Sequence, residues 1–182
     1  MIPIHLQPIM KKVRLALCGE PPVPWREVPV EQVGGVVAVG FDRRCETLLV
    51  VSHSGRGLFD VRSGERIARD REDDGYDHIG LTARGIGRLE DETFRMAGLH
   101  GGGLPEFTAD GWHAERLMLD WPSETLLLTP PGSSLYHEHT GRPHDFHKIA
   151  DQEFEVRAWG FSWDGKALLL AVTDQIRLYA RD

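Results

Sequence analysis

Histidines, the residue type that most often switches charge or binds a metal near neutral pH, are concentrated in one short stretch of the chain. That stretch contains His137, His139, His144 and His147. On a β-strand, His137 and His139 would point to the same face, which is the spacing that two metal ligands on one strand use. One hypothesis is therefore a metal-binding protein or metal-dependent enzyme; the other is a set of exposed or hydrogen-bonded structural histidines.

Carboxylates are concentrated in a second stretch, residues 70–78, which reads DREDDGYDH. Its alternating acidic residues before Gly75 are similar to a calcium-binding loop. The EF-hand pattern, however, requires a bidentate Glu at the twelfth position, where this chain has Leu81. We interpret the stretch as a solvated connecting loop or as an acidic contact surface.

Two further patterns are similar to parts of hydrolase active sites. The first is His-Gly-Gly-Gly at 100–103, which in esterases forms an oxyanion hole but needs a Gly-x-Ser-x-Gly nucleophile segment that this sequence lacks. The second is His53-Ser54 with Asp60, and adjacent His and Ser on one loop rarely reach base-to-nucleophile geometry. We therefore predict no catalytic residues and no cofactor, and expect the glycines to serve turns with positive φ.

The elements that position these residues are indicated by four apolar or alternating runs separated by polar turns. The runs are 36–41, 47–52, 57–62 and 65–69. Runs of this length and spacing predict an antiparallel meander of four strands. The segment 35–70 is therefore the clearest structural unit of the chain.

This unit resembles one blade of a WD-repeat-like β-propeller. Phe59-Asp60, before the turn at Ser63-Gly64, stands where such blades often have Trp-Asp. The second-strand run 46–51 is repeated at 92–97, 124–129 and 166–171. The third-strand pattern is repeated at 135–136 and 178–179, and weakly at 104–107.

The resemblance covers residues 35–182 and implies an all-β fold with about four antiparallel four-stranded blades in one domain. We place the blades at 35–78, 79–115, 116–153 and 154–182, the second being degenerate, after a lead-in at 1–34. The last blade then lacks a fourth strand. An N-terminal strand is expected to complete it, and 12–17 and 25–30 are the two candidates.

Charge and composition indicate which classes of partner and which location are expected. The formal net charge is −7, which disfavours direct binding of nucleic acid and favours a basic protein partner. No apolar run reaches the ~20 residues of a membrane-spanning helix. No secretory signal is recognised, and the only cysteines, Cys18 and Cys45, form no disulfide framework, so a cytoplasmic location is expected.

We therefore predict a non-catalytic protein-binding module, of which an inhibitor or immunity-type protein that neutralises a basic toxin or enzyme is one specific form. The expected partner-binding residues share one face of the blades and are Asp73, Asp74, Asp77, His53, His100, Asp151 and Glu153, with Asp174 beside them. The opposite face would carry Trp112, Trp121 and Trp163, as interface anchors or as packing residues. Monomer and homo-oligomer are both left open.

Overall fold

The computed structural model describes residues 6–72, 75–136, 146–153 and 155–182. These residues contain one α-helix, α1 (Gln7–Leu15), and a short 3-10 helix (Gly87–Leu89). The strands are β1 (Arg26–Val28), β2 (Val36–Phe41), β3 (Thr47–Ser52), β4 (Gly55–Asp60), β5 (Arg66–Asp70), β6 (Tyr76–Asp77), β7 (Thr82–Arg84), β8 (Thr93–Arg95), β9 (Ala97–Gly98), β10 (His113–Asp120), β11 (Ser123–Thr129), β12 (His147–Glu153), β13 (Ala158–Phe161), β14 (Ala167–Ala171) and β15 (Ile176–Ala180). Their pairings are antiparallel, which confirms the all-β class.

The first sheet has the order β5-β4-β3-β2-β9 and contains the predicted meander. Strands β2 and β3 match the predicted runs residue for residue, and β4 begins two residues before its predicted start. Alternate side chains of β3 enter two different cores: Leu48 and Val50 pack toward the fourth sheet, Leu49 and Val51 toward the second. Burial on both faces explains why this run is apolar without interruption.

Three hairpin turns use the same hydrogen bond. A side-chain oxygen at the start of each turn accepts a backbone N–H at the start of the next strand or one residue before it: Thr47 N to Asp42 Oδ1 (2.8 Å), Trp112 N to Thr108 Oγ1 (2.9 Å) and Ala167 N to Ser162 Oγ (2.9 Å). Each turn also has one residue in the left-handed region: Cys45, Gly111 and Gly165. The hairpin is therefore a repeated element, although the sequences of the three turns differ.

The second sheet, β6-β7-β8, is small. The prediction of one connecting loop over 70–78 is wrong in part, because Asp70 ends β5 and Tyr76–Asp77 forms β6. Strand β6 pairs with two residues of β7 only, so the acidic Asp77 can belong to a strand and remain exposed. The predicted run at 92–97 is divided between β8 and β9, and β9 joins the first sheet through β2.

The third sheet has the order β10-β11-β12. The prediction of a third strand at 135–136 is wrong: both residues lie in a turn, and β12 is the strand that follows β11 in the sheet. Leu135 is buried against Val13 of α1 together with Leu127 and Phe146. An apolar residue at this point of the sequence thus reflects helix packing rather than a strand.

The prediction of a weak third strand at 104–107 is also wrong. This segment lies between the third and fourth sheets, because Ala114 N donates to Glu106 O (2.8 Å) and Phe161 N donates to Pro105 O (2.7 Å). It precedes β10 at one of the three repeated hairpin turns. Residues 104–107 therefore occupy the position of the first strand of the third sheet without forming a regular strand, and β10 occupies the position of the second strand.

The fourth sheet has the order β1-β15-β14-β13, so an N-terminal strand completes it. The candidate at 25–30 is confirmed, since Arg26–Val28 pairs with Leu178 to Ala180. The candidate at 12–17 is wrong, because most of it belongs to α1. Ile9, Val13 and Ala16 have helical spacing and pack on the third sheet, and this packing overrides the alternation of the strand pattern.

Buried clusters join neighbouring sheets in the order second, first, fourth and third. Closure of the four sheets into a ring, and with it the number of blades, stays a prediction. Among the described residues, no helix is long and apolar enough to span a membrane.

Candidate functional site

Loops from different sheets meet at one end of the strands. His53 N donates to Gly35 O (3.0 Å), Val36 N to Thr173 O (2.8 Å) and Leu99 N to Val37 O (2.9 Å). We call this region the loop end and define it by residues 34–37, 53–54, 77–80, 98–101, 155–157 and 173–174. Backbone hydrogen bonds between these loops give them a fixed arrangement, which a binding surface requires.

Two histidine rings pack together within the loop end. The ring centroids of His78 and His100 are 5.3 Å apart, and the ring of Tyr76 lies 5.7 Å from that of His100. The sequence neighbours of this pair are aliphatic and exposed: Ile79 is 85% and Leu99 is 49% exposed. The result is a small apolar and aromatic patch on a chain whose other aliphatic side chains are mostly buried.

Asp77 holds the turn that presents Ile79. Its Oδ1 accepts the backbone N–H groups of Ile79 and Gly80, both at 3.0 Å. The N–H groups of Gly80 and Ile79 lower the pKa of this exposed carboxyl below its ordinary value, so Asp77 is ionised at neutral pH. Asp77 and His100, both predicted to bind a partner, are therefore brought to the same surface.

The side chain of Arg157 ties the fourth sheet to the first at the loop end. Arg157 binds Glu155 (3.2 Å) and donates through Nε to the carbonyl oxygen of Val36 (3.3 Å). Thr173 donates its hydroxyl to the same carboxylate (2.6 Å). The charge of Glu155 is therefore used within the protein. Asp174, the residue that follows Thr173, has no ion pair among the described residues.

Asp151, another predicted contact residue, has a structural role. Its two carboxylate oxygens accept hydrogen bonds from Thr125 Oγ1 (2.7 Å) and Lys148 Nζ (2.9 Å). The side chain of Lys148 is only 2% exposed, so it needs a counter-ion, and Asp151 supplies it. Asp151 therefore stabilises the third sheet, and its role as a partner contact stays a prediction. Glu153 is the last residue of β12 and lies opposite Glu124 in the sheet.

Several predicted residues fall outside the described part of the chain: Asp73, Asp74, His137, His139 and His144. His147 is described and begins β12, where it pairs with Leu128. Among the described residues, no three His, Cys, Asp or Glu side chains are grouped to hold a metal ion.

The hydrolase-like patterns are separated by the fold. Asp60 lies at the far end of β4 from His53, and it accepts the N–H groups of Arg62 (2.9 Å) and Ser63 (2.8 Å) at a turn. Gly101 and Gly102 have positive φ, as predicted, and a Cβ on Gly102 would lie 2.3 Å from Met96 O. These glycines therefore serve a close backbone turn.

The three tryptophans predicted for the opposite face have different environments. Trp112 is buried in the core between the third and fourth sheets, whereas Trp121 is 84% and Trp163 is 49% exposed. The sequence reasoning missed Ile79, Leu99 and His78 at the loop end. An aliphatic residue between a histidine and a glycine in a polar turn, as at Ile79, is the signal that would have identified the patch.

The fold is that of an all-β protein of antiparallel sheets, with an exposed apolar and aromatic patch at one end. No protein-family model, curated protein sequence or solved structure matches it.

Proposed function

We propose that the protein is a non-catalytic binding module that contacts a basic protein partner through its loop end. The observation that carries the proposal is the exposure of Ile79 and Leu99 beside the packed histidine rings. Apolar anchors held on a rigid scaffold and surrounded by polar groups are typical of protein interfaces. The expected contact residues are Ile79, Leu99, Asp77, His78 and His100, with His53 on the neighbouring turn.

Charge supports a basic partner. The formal net charge of −7 gives the protein a negative field that steers cations toward it. At and beside the loop end, Glu72, Asp77 and Asp174 have no ion pair among the described residues. We expect their contribution to appear mainly in the association rate and in its dependence on salt. An inhibitor or immunity-type protein that blocks a basic toxin or enzyme is one form of this function.

We further propose that the four sheets are blades of a small WD-repeat-like propeller. The repeated hairpin turn, the closing strand β1 and the cores that join neighbouring sheets support this arrangement. A closed ring requires the second and third sheets to touch. Methyl NOEs between side chains of these two sheets would support it, and their absence in an assigned spectrum would contradict it.

The binding proposal is tested by capture from the native host lysate, followed by measurement with the purified captured protein. We expect Ile79→Ser and Leu99→Ser each to weaken binding about tenfold, which is ~1.4 kcal/mol. Leu17→Ser is the matched control, because Leu17 is 91% exposed but lies at the end of α1, away from the loop end.

Salt gives a second readout. The affinity of a basic partner should fall when the NaCl concentration is raised, because the charges at the surface are screened. Equal effects of Ile79→Ser and Leu17→Ser, or binding that is unaffected by all three substitutions, would show that the partner contacts another surface.

A further inference from the structure

A cleft of about 440 Å³ lies at the other end of the strands, which we call the hairpin end because it carries the turns 42–46 and 162–166. It is lined by Phe41, Arg43, Thr82, Thr93, Arg95 and Trp163. The first, second and fourth sheets all contribute to it. The volume falls within the range of small-molecule sites, and the lining combines apolar surface with a few polar groups, as such sites do.

The two arginines of the cleft are available for a ligand. Neither Arg43 nor Arg95 makes an ion pair or a side-chain hydrogen bond within the described part of the chain. No carboxylate from the described residues lines the cleft.

Two acidic residues adjacent to lining residues, Asp42 and Asp164, are used by their own turns. Asp42, beside Arg43, accepts the N–H groups of Thr47 (2.8 Å) and Arg44 (3.3 Å). Asp164, beside Trp163, accepts hydrogen bonds from Ser162 Oγ (2.6 Å) and Lys166 N (3.1 Å). These carboxylates therefore stabilise the hairpins and do not line the cleft.

The sheet register directs the polar groups to one place. Thr82 lies opposite Arg95 in the antiparallel pair, and Thr93 lies two residues before Arg95 on the same strand. All three positions therefore belong to the same face of the second sheet. Gly40 allows this sheet to approach, since a Cβ at Gly40 would lie 2.3 Å from the carbonyl oxygen of Arg95.

Trp163 gives the cleft an aromatic wall that is fixed by its turn. Ser162 and Asp164 form hydrogen bonds on either side of it, and the buried thiol of Cys45 lies against the backbone of 163–164. Half of the indole surface stays exposed. A ring held in this way is suited to stack on a flat ligand, and the arginines are suited to bind an oxyanion in bidentate fashion.

We propose that this cleft binds a small oxyanion, a phosphate or carboxylate, that is attached to a planar ring of at most nucleotide size. Arg43 and Arg95 bind the oxyanion, the hydroxyl groups of Thr82 and Thr93 donate to it, and Trp163 stacks on the ring. The inference does not depend on the loop end, because the two sites share no residue.

Isothermal titration of the full-length protein tests the proposal with four probes: adenosine monophosphate, adenosine, benzoate and inorganic phosphate. We expect at least one ring-bearing anion to bind more tightly than both adenosine and inorganic phosphate. Tighter binding of adenosine monophosphate would identify a phosphate ligand, and tighter binding of benzoate would identify a carboxylate. Failure of all probes to bind at millimolar concentration would overturn the proposal.

Variants locate the site. Arg43→Gln and Arg95→Gln should each weaken the tightest probe about tenfold, and Trp163→Leu should weaken ring-bearing probes but leave inorganic phosphate unchanged. Arg44→Gln is the matched control, since Arg44 is exposed on the same turn but does not line the cleft. Equal binding by Arg43→Gln and the unmodified protein, with folding confirmed by circular dichroism, would overturn the assignment. Ile79→Ser should have no effect on these probes.

Discussion

The loop end and the hairpin end use their charged side chains in different ways. At the loop end, Arg157 binds Glu155, and Arg69 donates to the carbonyl oxygen of Ser54 (3.0 Å), so the loops are joined by their own charges. At the hairpin end, Arg43 and Arg95 line a cleft and have no partner among the described residues. The number of charged residues in a loop therefore does not show how many of them are available for binding.

The same difference separates two clefts of the molecule. The larger one, about 650 Å³, lies beside the loop end and is also lined by arginines, among them Arg56, Arg69 and Arg84. Arg56 binds Asp70 (2.5 Å) and donates to the carbonyl oxygen of Arg84 (2.7 Å). Those groups hold the first and second sheets together. The smaller cleft is therefore the better candidate for a ligand, despite its size.

The largest expected effect concerns the closing strand at the hairpin end. Trp25 precedes β1 and is 4% exposed, with Trp112 and Phe161 rings at 5.8 and 5.5 Å. Trp25→Ala should lower the free energy of unfolding by about 3–5 kcal/mol, because it leaves a large cavity between the third and fourth sheets. Urea denaturation measures it.

Trp163→Ala is the control for that experiment, because Trp163 is a second tryptophan at the hairpin end. Its indole is half exposed, so we expect a loss of at most about 1 kcal/mol. Equal losses for the two variants would mean that the N-terminal strand does not close the fourth sheet in solution. Unequal losses would separate the groups that stabilise this end from those available for a ligand.

A smaller effect is expected from glycines at the loop end. A Cβ at Gly98 would lie 2.2 Å from the carbonyl oxygen of Val37, so Gly98→Ala should push Leu99 and its neighbours away from β2. We expect a loss of about 1–3 kcal/mol in thermal unfolding. Gly103→Ala is the matched control, since no heavy atom lies within 4 Å of its Cβ position. If both variants behave alike, the 99–101 loop is not packed on the first sheet as described.

Much of the fold was predictable because its strands have simple physical causes. Strands β2, β3 and β14 are continuous apolar runs, since both of their faces are buried. The bounds of β2 and β3 were predicted as observed, and β14 begins one residue after its predicted start. Segment 12–17 was misassigned because its alternation is also compatible with a helix. Only the packing of Val13 on the third sheet decides between the two, and that contact joins residues far apart in sequence.

The sites were less predictable, for a related reason. The acidity of Asp151 is visible in the sequence, but its pairing with buried Lys148 depends on the bend of β12 in the sheet. Arg43 and Arg95 look like ordinary surface residues in the sequence. They line one cleft because Gly40 of β2 lets the backbone of Arg95 approach. Whether a charged side chain is available for binding therefore depends on which residues surround it in the folded protein.

The smallest effect concerns the ion pair that holds the hairpin end to the C-terminus. Arg181 donates through its two terminal nitrogens, Nη1 and Nη2, to the carboxylate oxygens of Asp110, at 2.5 and 2.6 Å. This interaction holds the pKa of Asp110 well below its ordinary value of 3.8. The carboxylate is 54% exposed, so solvent limits the contribution of the pair to at most about 1 kcal/mol.

The sign of the pH dependence follows from this lowered pKa. Above pH 3.8 the folded and unfolded forms are both ionised, so the stabilisation is fully present. As the pH falls further, the unfolded form takes up the proton first and the stabilisation is lost. Asp110→Asn should therefore be less stable than the unmodified protein at neutral pH, and the difference should shrink below about pH 3 in urea titrations. Asp174→Asn is the matched control, since it removes a carboxylate that has no ion pair among the described residues. A deficit of Asp110→Asn that keeps its size at low pH would mean that the ion pair with Arg181 is not the cause of the stabilisation.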